Sequence, residues 1–332
     1  MLIKSLKKYH PSNFLVLIFI GILVWIRPLM DDNLPGYFIS QDPMPFYNWI
    51  VLLLSKAESQ LIGKIIALII VIVQAIIVNA IINQYNLSGL RSYLPGIIFL
   101  LLSSTFEEYQ MLHPILFANF FLLFAWNKII SIPEKNLAIA SYYNSAFLIG
   151  IATLFYPDFV YFLLLISLSL VLNRVGHPRE FAMIILGFVT VWYFYIGLYY
   201  LFEDKVQLSG LKINYLFSFP KYNEIELIQK ILAGYIGLII IAASLHLGTY
   251  IANLKIQVRR NYKILFVWFW IGILLFLFTN TSGEILFVIS VPSSILISIF
   301  FAGMKKKWMA ESLWGLFLIL IILSHILPGL TK

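Results

Sequence analysis

Five carboxylates of the chain stand directly after apolar runs, at points where a membrane span is expected to end. They are Asp31 with Asp32, Glu107 with Glu108, and Asp158. A carboxylate within hydrogen-bond reach of a hydroxyl group can take its proton as a general base. The spacing therefore predicts acid–base chemistry at a membrane surface, and the competing interpretation is a set of solvated loop residues and helix caps. Asp158 in particular, which follows a proline, suits the N-cap of a returning helix.

A cation precedes the first pair of carboxylates. Arg27 lies one helical turn before Asp31, at the predicted membrane edge. There we expect its guanidinium group to pair with the aspartates or to extend toward the lipid headgroups. Other basic residues predicted on the same side of the membrane are few: Lys56, Lys64, Lys205, Lys212, Lys221 and Lys230.

The sequence contains no recognisable motif for binding a metal ion or a nucleotide. The five histidines form no HxxxH or HxxH pair, and there is no GxxxxGK[ST], GxGxxG or GxSxG stretch. His113, which precedes Pro114, is expected to hydrogen-bond in a hairpin turn. We expect no cofactor, although binding of a divalent metal ion by the carboxylates is not excluded.

The composition places these residues in a membrane protein. The chain has 332 residues, of which 61% are apolar and 11% are charged, whereas a soluble domain has about 25% charged residues. It contains no cysteine, which excludes disulfides and thiolate metal sites. We predict an all-α, polytopic bundle of transmembrane helices, a single domain over residues 1–332 surrounded by membrane lipids. Polar residues within the runs are expected to hydrogen-bond to neighbouring helices: Gln74, Asn79, Asn119 and Asn173.

About eleven apolar runs have spanning or near-spanning length. With the N-terminus in the cytoplasm, most of the 23 lysine and arginine residues fall in inner loops, as the positive-inside rule requires. The net charge of +8 therefore reports topology and does not indicate a nucleic-acid partner. The runs lie near 14–30, 62–83, 94–106, 110–127, 141–156, 158–173, 181–202, 227–253, 264–279, 285–302 and 309–327.

A twelfth apolar stretch, 45–60, is interpreted as an amphipathic helix in the outer interface, because another span would reverse the charge bias of all later loops. The arm 94–106 rises only ~20 Å, short of the ~30 Å hydrocarbon core. Glu107 and Glu108 are therefore expected below the outer surface, in a polar cleft covered by the helix at 45–60. The longest outer loop is predicted at 203–226.

The order of these features resembles the GT-C class of integral membrane glycosyltransferases. In that class an outer loop with an acidic pair follows the first span, and interfacial helices and a second acidic outer turn come after it. The counterparts here are Asp31–Asp32, the helix at 45–60 and Glu107–Glu108, within a GT-C-like core at about 14–175. The stretches LPGIIFLLLSSTFEEYQMLHPILFANFFLLFAW and NSAFLIGIATLFYP also resemble an uncharacterised family of polytopic membrane proteins of Bacteroidota-type bacteria, and this second resemblance is closer.

The GT-C resemblance implies a bacterial inner-membrane protein that transfers a sugar from a polyprenyl-phosphate donor at the outer face. Asp32 or Asp31 would be the general base, the acidic turns at Glu107–Glu108 and at Asp158 would organise the cleft, and Arg27 would contact phosphate. Members of the class are usually longer, often with a C-terminal outer domain, which leaves two other functions open. One is a non-catalytic integral subunit of an envelope-assembly or secretion complex, with a protein partner in the same membrane, and the other is a lipid or solute transporter.

Overall fold

The computed structural model describes residues 11–31, 34–39, 44–55, 59–87, 91–105, 110–132, 138–173, 177–202, 227–251, 254–278, 285–304 and 306–326. Within these ranges the chain is helical, and the only pairing of extended backbone is a parallel bridge between Tyr37 and Leu112. The all-α prediction is confirmed there. The predicted outer loop at 203–226 lies outside the described residues, as do Asp32 and the pair Glu107–Glu108.

Twelve α-helices and one 3₁₀ helix make up the described part of the chain. Each predicted apolar run corresponds to a helix, except that the run at 158–173 is divided between the 3₁₀ helix and α7. In chain order the elements are α1 (Pro11–Met30), α2 (Pro45–Ser55), α3 (Gln60–Gln84), α4 (Leu94–Ser103), α5 (Pro114–Ile130), α6 (Ala138–Phe155), the 3₁₀ helix (Pro157–Phe162), α7 (Leu163–Asn173), α8 (Pro178–Phe202), α9 (Leu227–Ile251), α10 (Ile256–Phe278), α11 (Ile285–Gly303) and α12 (Lys307–Ile326).

Seven of the helices in the described ranges are long and apolar enough to cross a membrane, namely α1, α3, α6, α8, α9, α10 and α11. The remaining apolar helices there are shorter: α2, α4, α5, α12 and the continuous 3₁₀–α7 segment. A helix needs about 20 apolar residues to cross the hydrocarbon core. The seven long helices indicate a multi-pass membrane protein.

Two helices differ most from the bounds that the sequence predicts. The interfacial helix expected at 45–60 ends at Ser55, and Ser59 is already the N-cap residue of α3. Helix α10 begins at Ile256, eight residues before its apolar run, because the basic segment ahead of the run continues the same helix.

Helix α4 lies at the centre of the bundle. All ten of its residues are buried, and at about 1.5 Å per residue it is roughly 15 Å long. It packs between α3 and α11 and also touches α1. Gly96 permits the close approach to α3, since a Cβ atom there would lie 2.7 Å from the carbonyl oxygen of Ala75, and Phe99 meets Phe287 of α11 edge-on at 5.9 Å.

The other helices form a second layer around this centre. Helix α6 packs between α5 and α8, α10 packs against α7 and α11, and α9 packs against α11 and α12. Side-chain amides join α3 to α5 as the sequence predicts: Gln74 Nε2 donates to Leu116 O at 2.6 Å, and Asn119 Nδ2 donates to Gln74 Oε1 at 2.9 Å.

Contacts between helix ends group the predicted inner loops at one end of the bundle. The Tyr262 hydroxyl at the start of α10 donates to the carbonyl of Leu87 after α3. Arg260 donates to the carbonyl of Asn173 at the end of α7, at 3.4 Å. The end of α1 and the start of α3 meet at the opposite end, where the candidate site lies.

Candidate functional site

The candidate site begins at the last turn of α1. Pro28 lies in this turn and, lacking an N–H group, leaves the carbonyl of Val24 without its helical partner. The side chain of Gln110 takes that place, with its Nε2 3.4 Å from Val24 O. Helical bonding then resumes, because the N–H of Asp31 donates to Arg27 O at 3.0 Å. Helix α1 thus brings Arg27 and Asp31, both partly buried, to one end of the bundle.

A buried lysine of α3 adjoins this turn. Lys64 is only 1% exposed, and its Nζ donates to the main-chain carbonyl of Asp31 at 2.6 Å. Among the described residues this carbonyl is its one hydrogen-bond partner, and Lys64 forms no ion pair with them. An ammonium group has three donors, and an uncompensated buried charge is costly. Among the described residues Lys64 therefore has no carboxylate partner, which makes it a candidate contact for an anion.

The sequence indicates Lys64 only as one of several basic residues on the predicted outer side and assigns it no role. The signal was its position inside the apolar run 62–83, because an ionisable residue within a membrane span is a functional candidate by default.

Two glycines let the loop after α1 lie directly on the first turn of α3. A Cβ atom at Gly36 would collide with the backbone of Gln60, and one at Gly63 would collide with the backbone of Gly36. The N–H of Gly36 donates to Oε1 of Gln60 at 2.6 Å. This close contact fixes the loop that carries the Asp31 carbonyl against the helix that carries Lys64.

Helix α2 is tied to the same loop by one buried hydroxyl. The N–H of Phe38 donates to Leu112 O at 2.9 Å, and the N–H of Leu112 donates to Gly36 O at 3.0 Å. The hydroxyl of Tyr47 on α2 lies 2.8 Å from Phe38 O and 2.7 Å from Leu112 O. Helix α2 is thereby held against the loop and against the segment that leads into α5.

The residues on either side of the second acidic pair contact α1. Glu107 and Glu108 lie outside the described residues. On the side before them, Ser104 is buried and its Oγ accepts a hydrogen bond from Trp25 Nε1 at 2.9 Å. On the side after them, Gln110 is buried and reaches the carbonyl of Val24. Both flanks therefore contact α1 within one turn of Arg27.

Asp158 does not cap a helix as the sequence predicts. The N-cap residue of the 3₁₀ helix is Tyr156, and Asp158 lies in the first turn with a partly exposed side chain. A carboxylate in a first turn is still stabilised by the helix N-terminus. The segment before Asp158 adjoins the site through aromatic rings, because His113 lies 4.4 Å from the ring of Phe38 and 6.2 Å from the ring of Tyr156. His113 Nδ1 accepts from the N–H of Ile115 at 3.2 Å, which confirms its predicted role in the turn.

An apolar groove runs beside α2 at this end. Its volume is about 320 Å³, and it is lined by Phe38, Ile39, Val51 and Leu52 with Asn48 and Ser55 at one edge. The exposed face of α2 is likewise polar along one edge and apolar along the other. Asn48 and Ser55 are exposed along one edge, and Trp49, Leu52 and Leu53 along the other. Such a face suits a helix that lies where lipid headgroups meet acyl chains.

The described part of the site therefore brings Lys64 to the main-chain carbonyl of Asp31, one helical turn after Arg27, and Asp158 lies two residues after a tyrosine ring that contacts His113. The site holds no group of three His, Asp or Glu side chains within the described ranges that is placed to bind a metal ion. What the arrangement offers chemically is a buried ammonium group at the main-chain carbonyl of Asp31, with Arg27 one helical turn before Asp31 on α1. A phosphate group is the ligand that matches this set.

The chain belongs to DUF6427, a family of unknown function, which it matches over residues 46–328. The matched span contains Lys64, Asp158 and the pair Glu107–Glu108, whereas Arg27 and Asp31 precede it. No curated protein and no solved structure matches the chain.

Proposed function

We propose that this end of the bundle binds a phosphate-bearing lipid and, as a GT-C-like enzyme, transfers a sugar from a polyprenyl-phosphate donor. The observation that carries the proposal is Lys64, which is 1% exposed and has a main-chain carbonyl as its described partner. A phosphate would supply a counter-anion for this ammonium group, which has none among the described residues. Arg27, one turn from Asp31, is the second phosphate contact.

The proposal includes a topology. Eleven segments cross the inner membrane of a bacterium, the N-terminus is cytoplasmic, and α2 lies in the outer interface. The bias of basic residues toward the predicted inner loops supports this orientation. The site then faces the outer side of the membrane, where polyprenyl-linked donors and envelope acceptors meet.

The transfer step needs one base and one anion-binding group. The oxygen of an acceptor hydroxyl attacks the anomeric carbon of the sugar, and its proton passes to the carboxylate of Asp31 or Asp32. The bond from the anomeric carbon to the phosphate oxygen breaks, and the polyprenyl phosphate leaves with the electron pair. Lys64 and Arg27 stabilise the negative charge that develops on the leaving phosphate. Glu107, Glu108 and Asp158 would orient the acceptor.

The groove beside α2 supports the proposal that the site binds a lipid. It is apolar on one side and begins at Phe38, two residues after the glycine that lies on the first turn of α3. Two residues of extended chain span roughly 7 Å. An isoprenoid chain in this groove would therefore hold its phosphate near Lys64.

The test compares a gene deletion with Asp31→Asn/Asp32→Asn and with Lys64→Met, scoring envelope glycans and polyprenyl-linked sugars at matched protein levels. The control is Glu224→Gln/Glu226→Gln, which also removes two carboxylates from a predicted outer loop. We expect both test variants to lose the glycan and accumulate the donor lipid as the deletion does, and the control to behave as the wild type.

The outcomes separate the alternatives. If the aspartate pair is dispensable while Lys64→Met matches the deletion, the site binds a phosphate lipid and transfers nothing. If both test variants are normal while the deletion is not, the site at the end of α1 is not the functional one, and the protein acts through a partner in the membrane.

A further inference from the structure

One buried histidine caps helix α5 next to the loop of the candidate site. His113 is 2% exposed and is the N-cap residue of α5, where its Nδ1 atom accepts from the N–H group of Ile115 at 3.2 Å. A main-chain N–H group can only donate, so Nδ1 carries no proton and the neutral imidazole holds its proton on Nε2. The cap therefore exists only in the neutral form of His113.

The first turn of α5 is buried around the capped N–H group. Pro114 takes the first helical position, and the N–H group of Leu116 donates to the main-chain carbonyl of His113 at 3.0 Å. Pro114, Ile115 and Leu116 are all buried, so water cannot replace the imidazole while this turn stays packed. Loss of the cap would leave a buried donor unpaired, which is costly.

The ring of His113 also touches the loop that follows α1. Its centroid lies 4.4 Å from the ring centroid of Phe38. The residue before it, Leu112, accepts from the N–H of Phe38 at 2.9 Å and donates to Gly36 O at 3.0 Å. Gly36 in turn lies against the backbone of the first turn of α3, which carries Lys64. A movement of His113 therefore acts on the loop that adjoins the buried lysine.

Protonation of His113 is incompatible with this arrangement. A proton on Nδ1 would point at the N–H group of Ile115 and remove the cap. The imidazolium would also place a positive charge at a helix N-terminus, where the helix dipole repels it. A charge buried this deeply requires water or an anion. The protonated ring therefore has to leave its position.

Histidine is the residue type around this position that ordinarily changes its charge between pH 5 and pH 8. The elements packed around the ring carry tyrosine hydroxyls, the carboxylate of Asp158, and the charged groups at the facing ends of α1 and α3. Among the described residues these titratable and charged side chains are Tyr37, Tyr47, Tyr156, Tyr161, Asp158, Arg27, Asp31 and Lys64.

We propose that His113 is a pH switch for the site at the end of α1. In the neutral state the ring caps α5 and holds the loop at 34–39 in place. In the protonated state the ring leaves, α5 loses its cap, and the loop beside Lys64 is released. The lipid part of this inference rests on the proposed function: the affinity of the site for a phosphate lipid falls as the pH falls.

Hydrogen–deuterium exchange of the full chain in detergent tests the switch without any ligand. Protection factors are compared at about pH 7.5 and about pH 5.5, on either side of the ordinary histidine range. We expect protection at the start of α5 and in the loop to fall about fivefold in the wild type, as for loss of a typical N-cap. His113→Asn should show no such fall, because asparagine caps a helix without titrating.

His177→Asn is the matched control for this variant. His177 also precedes a proline at the start of a helix, α8, but its side chain is exposed. We expect His177→Asn to show the same fall in protection as the wild type. The comparison thus separates the buried cap from a general effect of losing one histidine.

The second measurement is the Kd for undecaprenyl phosphate at the same two pH values. Because a phosphate group itself takes up a proton near pH 6, the quantity compared is the ratio of the wild-type Kd to the Kd of His113→Asn. We expect this ratio to rise by up to about fivefold on acidification, since the fraction of protein with an ordered loop falls by that factor.

The outcomes distinguish the switch from the function. Equal protection of the wild type at both pH values overturns the switch, whatever the site binds, and so does an equal fall in His113→Asn. A fall in protection with a constant Kd ratio overturns the link to lipid binding. A ratio that decreases on acidification overturns it as well, because the imidazolium would then serve as a further cation for the phosphate. Failure of the proposed function is recognised separately, because Lys64→Met would then bind the lipid as the wild type does at about pH 7.5.

Discussion

The substitution Lys64→Met separates the folding role of the buried lysine from its binding role. It removes the one described hydrogen bond of Nζ, 2.6 Å from the Asp31 carbonyl, and a charge-assisted bond contributes about 1.5–3 kcal/mol. It also removes a buried charge, whose desolvation costs several kcal/mol. Because these terms have opposite signs, we expect the free energy of unfolding to change by no more than about 2 kcal/mol.

Binding of a phosphate lipid is expected to respond much more strongly. Loss of one member of a buried charge pair costs about 2–5 kcal/mol in affinity, which corresponds to at least about 30-fold. The assay is the Kd of the purified protein for undecaprenyl phosphate in detergent, with thermal unfolding measured on the same samples. The control is Lys230→Met, an exposed lysine on the same predicted side.

A Kd for Lys64→Met within twofold of the wild type would refute the assignment of Lys64 to phosphate. An equal loss in Lys230→Met would refute it as well, because the effect would then be one of general surface charge.

Three further substitutions test the packing that supports the site. Tyr47→Phe removes the hydroxyl near Phe38 O and Leu112 O and is expected to destabilise the fold by about 1–2 kcal/mol; an unchanged melting temperature would mean that α2 is held by its apolar contacts alone. Gln74→Leu breaks the hydrogen bonds from α3 to α5 and should cost ~0.6–2 kcal/mol, measured by denaturation in mixed micelles. Gly96→Val places atoms against Ala75 O and is expected to lower the free energy of unfolding by about 1–3 kcal/mol. Gly197→Ala is its control, because nothing lies within 4 Å of the new Cβ. This variant should be as stable as the wild type or up to ~1 kcal/mol more stable.

The sequence predicts the positions of the helices well. It predicts poorly which helices are surrounded by other helices and which face lipid. Helices α8 and α11 both arise from long apolar runs, yet the most apolar window of α8 is 17% buried and that of α11 is 83% buried. Lipid tails are as apolar as leucine, so hydrophobicity alone does not distinguish the two surroundings. Serine residues are the signal for α11: Ser290, Ser294 and Ser298 are buried and each bonds to its own helix.

The candidate site was predictable in part. Arg27 and Asp31 follow from their positions at the end of an apolar run, and the structure brings them to the start of α3. The role of Lys64 depends on a loop whose glycines let it touch α3, a long-range contact that no local pattern encodes. Asp158 was assigned to the wrong position because a proline one residue earlier already occupies the first position of the 3₁₀ helix.

The enclosure of α4 has a consequence for how the protein is made. This helix is too short to be recognised as a span by itself, and its partner α11 follows it by almost 200 residues. At about 5–20 residues per second, a ribosome needs roughly 10–40 s to cover that distance. During this interval the face of α4 that later meets α11 is covered by lipid, by the insertion machinery or by an earlier helix. The core of this protein is therefore completed only as the last helices leave the ribosome, and a chain truncated before α11 would leave its centre open.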